Sequence, residues 1–88
     1  MTWTRETVRR ELRGLLTQHA QSGATITDTS HLVADLGLDS LGVMEILADI
    51  EDKFTLSIPD EALREVETVA DVAAAIETRL QNEGRLQG

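Results

Sequence analysis

The sequence predicts an all-α domain, a four-helix bundle with a short third helix and a long loop between helices 1 and 2. Apolar residues recur at helical spacing in three segments, and each of these segments opens at a residue type that caps helices. No segment shows the alternation of a strand. The chain has 88 residues, of which 41% are hydrophobic, so a folded domain with a thin core is expected.

We expect a single domain over residues 1–88, with an ordered core of about 4–81 and a frayed tail at 82–88. Helix 1 is predicted to begin after Thr4 as N-cap, with Trp3 and Val8 forming a hydrophobic staple, and to end at Gly23. Its buried stripe is predicted to comprise Val8, Leu12, Leu15 and His19, with Leu16 at its edge. Residues 21–39 form a long connection, and such loops in compact domains tend to be functional. It is predicted to be an ordered loop pinned by its apolar residues, with a short turn around 30–35.

The remaining helices have clearer start signals. Helix 2 is predicted from Ser40, its N-cap, to Lys53, and a short third helix runs from Pro59-Asp60 to about Glu65, with Asp60 as cap. Thr68 caps the last helix, and Asp71 completes a capping box. The buried stripe of the last helix is predicted to be Val69, Val72, Ala73, Ile76 and Leu80.

Helix 2 has apolar residues on two faces. The face predicted to meet the core contains Val43, Ile46, Leu47, Ile50 and Phe54. On the opposite face Leu41, Met44 and Ala48 form a strip, and acidic side chains surround it: Glu45, Asp49, Glu51 and Asp52. Single exposed apolar residues are ordinary. Three at helical spacing with an acidic rim have the composition of a docking surface, in which charge sets register and association rate.

Composition excludes several functions. The chain has no cysteine and only two histidines, His19 and His31, so we expect no metal site and no disulfide. The net charge is −8, and residues 21–71 contain twelve acids against Lys53 and Arg64. Such a surface disfavours nucleic acid and favours basic partners. No apolar run suits a membrane span and no signal peptide opens the chain, so we expect a cytoplasmic protein without membrane contact. A monomer is also expected.

Ser40 is the candidate functional residue. A serine at a helix start is most often a cap, and a catalytic role would need His31 or His19 as base with Asp35 as orienter. The surrounding Gly37-Leu38-Asp39-Ser40-Leu41-Gly42 is not a Gly-x-Ser-x-Gly elbow, and no substrate cleft is evident. A modification site needs only an exposed hydroxyl and a helix N-terminus that favours an attached phosphate.

The segment Asp35-Leu36-Gly37-Leu38-Asp39-Ser40-Leu41 resembles the Asp-Leu-Gly-x-Asp-Ser-Leu signature of acyl carrier proteins. Glu45, Phe54, Ile58-Pro59-Asp60 and Thr68-Val69 also match that family's pattern, so the resemblance covers roughly residues 5–80. It implies a four-helix bundle with a short third helix. It also implies that Ser40 receives 4′-phosphopantetheine from coenzyme A, through a magnesium-dependent phosphopantetheinyl transferase. The thiol of that arm would then hold acyl groups as thioesters, and the protein itself would catalyse nothing.

The resemblance also implies partners and a docking face. The partners would be the transferase, an acyltransferase or ligase, a ketosynthase and other pathway enzymes with basic docking patches. We define the docking face as the eight residues predicted to meet these enzymes: Asp39, Leu41, Met44, Glu45, Ala48, Asp49, Glu51 and Asp52.

Three departures from the family pattern concern the pathway. Gly42 and Arg64 stand where acids are frequent in fatty-acid-synthesis carriers, and Lys53 interrupts the acidic end of helix 2. They favour a free-standing carrier of a bacterial polyketide or other specialised pathway over a housekeeping fatty-acid carrier. A peptidyl or aminoacyl carrier is a further alternative, although Leu38 replaces the second glycine common there. An interaction module without an arm and a serine hydrolase are the remaining alternatives.

Overall fold

A computed structural model describes residues 3–19 and 25–87. The elements follow the order β1 (Trp3–Thr4), α1 (Arg5–His19), α2 (Ser40–Phe54), α3 (Asp60–Arg64), α4 (Val69–Asn82) and β2 (Leu86–Gln87). Among the described residues, no helix is both long enough and apolar enough to cross a membrane.

The predicted four-helix bundle is wrong. In the described part of the chain, three helices of 14 or 15 residues form the bundle, namely α1, α2 and α4. The predicted third helix is a single turn of five residues, Asp60–Arg64. The physical reason lies in the segment that follows α3. The Glu67 carbonyl accepts the Leu32 N–H and the Glu67 N–H donates to Asp71 Oδ2, so these backbone groups bond outside α3, which ends at Arg64.

The structure also contains a strand pair that the sequence did not predict. β1 and β2 are parallel, with Trp3 opposite Leu86 and Thr4 opposite Gln87. The Trp3 N–H donates to the carbonyl of Arg85 at 2.8 Å. Two-residue strands have no alternation to detect, because side-chain period needs a longer run.

A Schellman motif turns the chain from α4 into β2, through residues for which the sequence predicts a frayed tail. Gly84 has a φ of 70°, and its N–H donates to Gln81 O at 3.0 Å. The next N–H, that of Arg85, reaches back to Leu80 O at 2.7 Å. These two bonds satisfy carbonyls at the end of α4, and a glycine takes this left-handed position without steric cost.

Helix α1 begins where Thr4 predicts. The Thr4 Oγ1 accepts the Thr7 N–H at 3.1 Å, which is the expected N-cap bond. The buried stripe of α1 differs from the prediction in one respect. Leu16, predicted at the edge of the stripe, is fully buried, whereas Leu15, predicted within it, is only partly buried. The predicted end at Gly23 lies outside the described residues.

The core joins the three long helices and the connection before α2. The capping box of Thr68 and Asp71 at the start of α4 is confirmed, and so is the predicted buried stripe of that helix. Trp3 and Phe54 pack with ring centroids 4.6 Å apart at the far end of α2. The largest fully buried side chains are Phe54, Leu12, Leu16, Leu36, Ile50, Ile76, Leu80, Val8 and Val69.

Candidate functional site

The loop before α2 is held by its own hydrogen bonds. His31 donates its backbone N–H to Asp35 Oδ2 at 2.6 Å, and its ring Nδ1 accepts the N–H groups of Val33 and Ala34 at 3.3 and 3.1 Å. Leu32 N–H also donates to Glu67 O at 2.9 Å, which ties the loop to the segment before α4. The chain therefore enters α2 from a fixed direction, as the predicted ordered loop requires.

The signature segment alternates between core and surface. Leu36 and Leu38 are buried, at 0% and 4% exposure, and Gly37 lies between them with a φ of 72°. This left-handed conformation is rarely available to other residues, which explains why a glycine stands there. Because the two leucines anchor the segment, Asp39 and Ser40 are left on the surface at the start of α2.

The predicted N-cap of α2 is wrong by one residue. Asp39 is the cap, with its Oδ1 accepting the Gly42 N–H at 2.7 Å, and Ser40 is the first residue of the helix. Aspartate and serine cap helices about equally well, so the residue one position earlier can serve. Among the described hydrogen bonds, none uses the Ser40 hydroxyl. It is exposed at a helix N-terminus, a position whose dipole and free N–H groups suit an attached phosphate.

The two faces of α2 are as predicted. Ile46, Leu47, Ile50 and Phe54 are buried, and Val43 is half-buried beside them. On the other side Leu41 is 67% and Met44 48% exposed, and Ala48 is exposed as well. The apolar strip therefore faces solvent directly beside Ser40. Its role in docking is not tested by this geometry and stays a prediction.

The acidic side chains of the docking face differ in how far contacts within the protein engage them. Asp49 Oδ2 lies 2.6 Å from His19 Nε2, at the end of α1. Glu51 Oε2 accepts the Ile58 N–H at 3.3 Å. Glu45 is 3.8 Å from the same histidine but its side chain is 55% exposed, and Asp52 is exposed. Glu45 and Asp52 are thus the acids most available to another molecule.

A groove of about 580 Å³ opens beside Ser40, and we call it the Ser40 groove. Most of its lining is apolar, from the loop, from α2 and from the segment after α3. The residues that line it are His31, Leu32, Val33, Leu38, Asp39, Ser40, Val43, Met44, Arg64, Val66 and Glu67. Its volume is that of a small-molecule site. An arm attached at Ser40 would therefore begin beside this groove, and part of the arm could pack against the groove's apolar lining.

The arrangement does not resemble a hydrolase. His31 lines the same groove as Ser40, but Asp35 binds the backbone of His31 and not its ring. The imidazole Nδ1 is occupied by two backbone N–H groups, so no carboxylate orients the ring as a triad requires. His19 is engaged with Asp49 on α2. Among the described residues, no group of three or more His, Asp or Glu side chains could hold a metal ion.

The three departures have distinct structural settings. Lys53 Nζ pairs with Glu11 at 3.3 Å, so it links α2 to α1. A Cβ on Gly42 would lie 3.3 Å from Asp39 Oδ1, which is a tight contact with the capping oxygen. Arg64 lies in the Ser40 groove, a position that sequence reasoning missed because α3 and α2 are brought together only by the fold.

Comparison with known proteins agrees with the site. A model of the family described as the phosphopantetheine attachment site matches residues 6–76. An acyl carrier protein of Exiguobacterium sp. is 51% identical over 55 residues, which are 62% of this chain and 70% of the relative. One from Helicobacter acinonychis is 35% identical over 68 residues, 76% of this chain and 87% of the relative.

A solved structure is similar as well. It is the solution structure of hexanoyl acyl carrier protein from the actinorhodin polyketide synthase of Streptomyces coelicolor. The match has a TM-score of 0.68 and 25% identity, and it covers 93% of this chain and 95% of that one. Through the match over residues 6–76, this chain belongs to the phosphopantetheine attachment family and is an acyl carrier protein, a non-catalytic carrier with covalently bound 4′-phosphopantetheine.

Proposed function

We propose that Ser40 is the residue to which the 4′-phosphopantetheine arm is attached. The observation that carries this proposal is the exposed Ser40 hydroxyl, without a described hydrogen-bond partner, at the first position of α2. Asp39 takes the capping role, so modification of Ser40 would remove no cap from the helix. When bound, the arm supplies the thiol that holds the acyl group, and no cysteine of the chain competes with it.

The chain's own contribution is to fix and expose the attachment point. Buried Leu36 and Leu38 set the direction of the loop, and the N-terminus of α2 stabilises a phosphate on Ser40. Carrier proteins act together with biosynthetic enzymes and with a phosphopantetheinyl transferase. We propose that these enzymes meet the docking face through basic patches, with the strip of Leu41, Met44 and Ala48 at the centre of the contact.

We further propose that the pathway is bacterial polyketide or other specialised biosynthesis, in the cytoplasm, with an acyltransferase or ligase and a ketosynthase as partners. The departures at Gly42, Lys53 and Arg64 support it, as does the likeness to a polyketide synthase carrier. A housekeeping fatty-acid carrier is the second candidate, since the relatives are acyl carrier proteins whose pathway is not stated. Leu38 argues against an aminoacyl carrier, because it replaces the second glycine that is common in those carriers.

The attachment is tested by mass spectrometry. The purified protein is incubated with coenzyme A, magnesium and a broad-specificity transferase, and its mass is measured before and after. We expect a gain of one phosphopantetheine, which Ser40→Ala abolishes and Ser57→Ala leaves intact. Ser57 is the matched control because its side chain is also exposed. Modification of the Ser40→Ala variant, or no modification of the wild type, would overturn the proposal.

A further inference from the structure

The charges around the Ser40 groove are unevenly placed. Asp39 and Glu67 both line the groove, and residues 21–71 together contain twelve acids against two cations. His31 lines it as well, and its Nδ1 accepts two backbone N–H groups. Arg64 is therefore the permanent cation among the described residues of the groove.

An arm attached at Ser40 brings further negative charge to this place. Its phosphate would lie beside Asp39, and a cargo with a free carboxylate would add another anion. Like charges at short range raise the free energy of the state in which the arm lies against the protein. Arg64 is exposed, and no described ion pair or hydrogen bond engages it. It can offset this repulsion without first leaving another partner.

We propose that Arg64 is a binding residue, which holds an anionic group of the arm or its cargo in the Ser40 groove. The inference rests on the proposed attachment at Ser40. The anion is either the phosphate of the arm or a carboxylate at the end of the acyl chain. Both are groups that a planar guanidinium binds through two parallel hydrogen bonds. Such a pair would stay partly exposed to water, because Arg64 is itself exposed.

The experiment measures how accessible the cargo thioester is. Wild type and Arg64→Gln are loaded from coenzyme A thioesters with either a malonyl group or a 3-methylbutanoyl group, which has the same branched shape without the charge. Hydroxylamine, a neutral nucleophile, then cleaves the thioester, and the rate is followed by mass. Each variant is compared with wild type for the same cargo, so the intrinsic reactivity of the two thioesters cancels.

We expect Arg64→Gln to speed cleavage about two- to fivefold, as expected for a partly exposed ion pair. Acceleration of the malonyl form alone assigns the anion to the cargo carboxylate, and equal acceleration of both forms assigns it to the phosphate. Arg64→Lys should keep part of the protection. Arg10→Gln is the matched control, since it removes one exposed cation of α1 that does not line the groove.

Two results would overturn the inference. One is an unchanged rate in Arg64→Gln for both cargoes, and the other is the same acceleration in Arg10→Gln, which would show an effect of net charge alone. Failure of the proposed attachment is distinguishable from either, because the protein would then acquire no arm at Ser40 and no loaded form would appear in the mass spectrum.

Discussion

The imidazole of His19 lies between two carboxylates of α2, with its Nε2 2.6 Å from Asp49 Oδ2 and its Nδ1 3.8 Å from Glu45 Oε2. This contact joins the end of α1 to the docking face. Asp49 therefore has a structural role in addition to any role in docking. Glu45 is the cleaner probe of docking, because its longer contact and its exposed side chain leave little internal structure to lose.

Charge reversal at Glu45 is expected to slow modification by the transferase. Glu45→Lys should reduce the rate roughly two- to tenfold at low salt, because one exposed charge both attracts a basic partner and, when reversed, repels it. The difference should shrink as salt screens the interaction. The rate of phosphopantetheine transfer, measured at several salt concentrations, checks this.

Glu6→Lys is the matched control for Glu45→Lys. Glu6 is exposed in the first turn of α1, and its replacement by lysine changes the net charge by the same amount. Equal slowing in both variants would mean that net charge, not the docking face, sets the rate. Circular dichroism of Glu45→Lys should retain the wild-type helicity, and unfolding would show that the exposed face is wrongly assigned.

An ion-pair network around the buried Glu77 stabilises the contact between α1 and α4. Glu77 is only 7% exposed, and its Oε2 lies 3.1 Å from Arg9 Nε while its Oε1 lies 3.5 Å from Arg5 Nε. Arg9 also binds Asp28 at 3.0 Å. Burial of the guanidinium opposes its charge, but hydrogen bonds and Coulomb attraction to Glu77 and Asp28 outweigh it and raise the pKa of Arg9.

Arg9→Met is expected to lower the free energy of unfolding by about 2–3 kcal/mol, because it leaves the buried Glu77 carboxylate short of its nearer partner. Arg5→Met should cost less, about 1 kcal/mol or below, since its contact is longer and its side chain is 53% exposed. Urea denaturation measures both values. Equal losses of unfolding free energy in Arg9→Met and Arg5→Met would contradict the prediction that Arg9 stabilises the fold more than Arg5 does.

Two glycines with open surroundings should respond in opposite directions to alanine. A Cβ built on Gly14, which is exposed inside α1, would meet no atom within 4 Å beyond its chain neighbours and the helix's own backbone. A Cβ on Gly84, whose φ is 70°, would likewise meet none beyond its chain neighbours. Gly14→Ala should raise stability by about 0.5–1 kcal/mol, or roughly 2–8 °C in Tm, through helix propensity.

Gly84→Ala should lower stability by about 1–2 kcal/mol, because alanine is strained in the left-handed position of the Schellman motif. Thermal unfolding followed by circular dichroism checks both glycine variants. A stabilising Gly84→Ala would show that the turn into β2 contributes nothing to the folded state.

The capping box at α4 should give stability a specific dependence on pH. Hydrogen bonds from the backbone N–H groups of Glu67 and Thr68 lower the pKa of Asp71 below its ordinary value of 3.8. A depressed folded-state pKa contributes stability that is fully present above the unfolded value, and that stability is lost as pH falls through the lower folded value. Asp71→Asn should therefore lose less stability than wild type between pH 5 and about pH 2. Identical losses in the two proteins over this range would contradict the role of the carboxylate.

Much of the site could be predicted because its signals are local. The exposure of Leu41 and Met44 follows from helical period, and the capping box of Thr68 follows from a four-residue pattern. The cap at Asp39 was missed because two adjacent residues were both good caps. The position of Arg64 in the groove was missed because it depends on how α3 packs near α2, which no local pattern reports.

The fold was predicted less well at its ends. A one-turn α3 cannot be told from a short helix by its start signal alone, because Pro59-Asp60 would open either. The strand pair joins residues more than eighty positions apart, and its only sequence signal is Gly84 just after the last helical residues. That signal marks a Schellman turn, but it does not indicate which segment the chain pairs with after the turn.

The pairing of Trp3 with Leu86 has a practical consequence for tethering. Trp3 packs against Phe54, the last residue of α2, so the Trp3–Leu86 pair lies at this end of the helix. This end is about 20 Å along the helix axis from Ser40. A linker, surface anchor or fused protein joined before Trp3 or after Gln87 would therefore be attached at this end of the molecule. An arm attached at Ser40, as proposed, would lie at the opposite end of the molecule, where partner enzymes could reach it in turn while the carrier stays tethered.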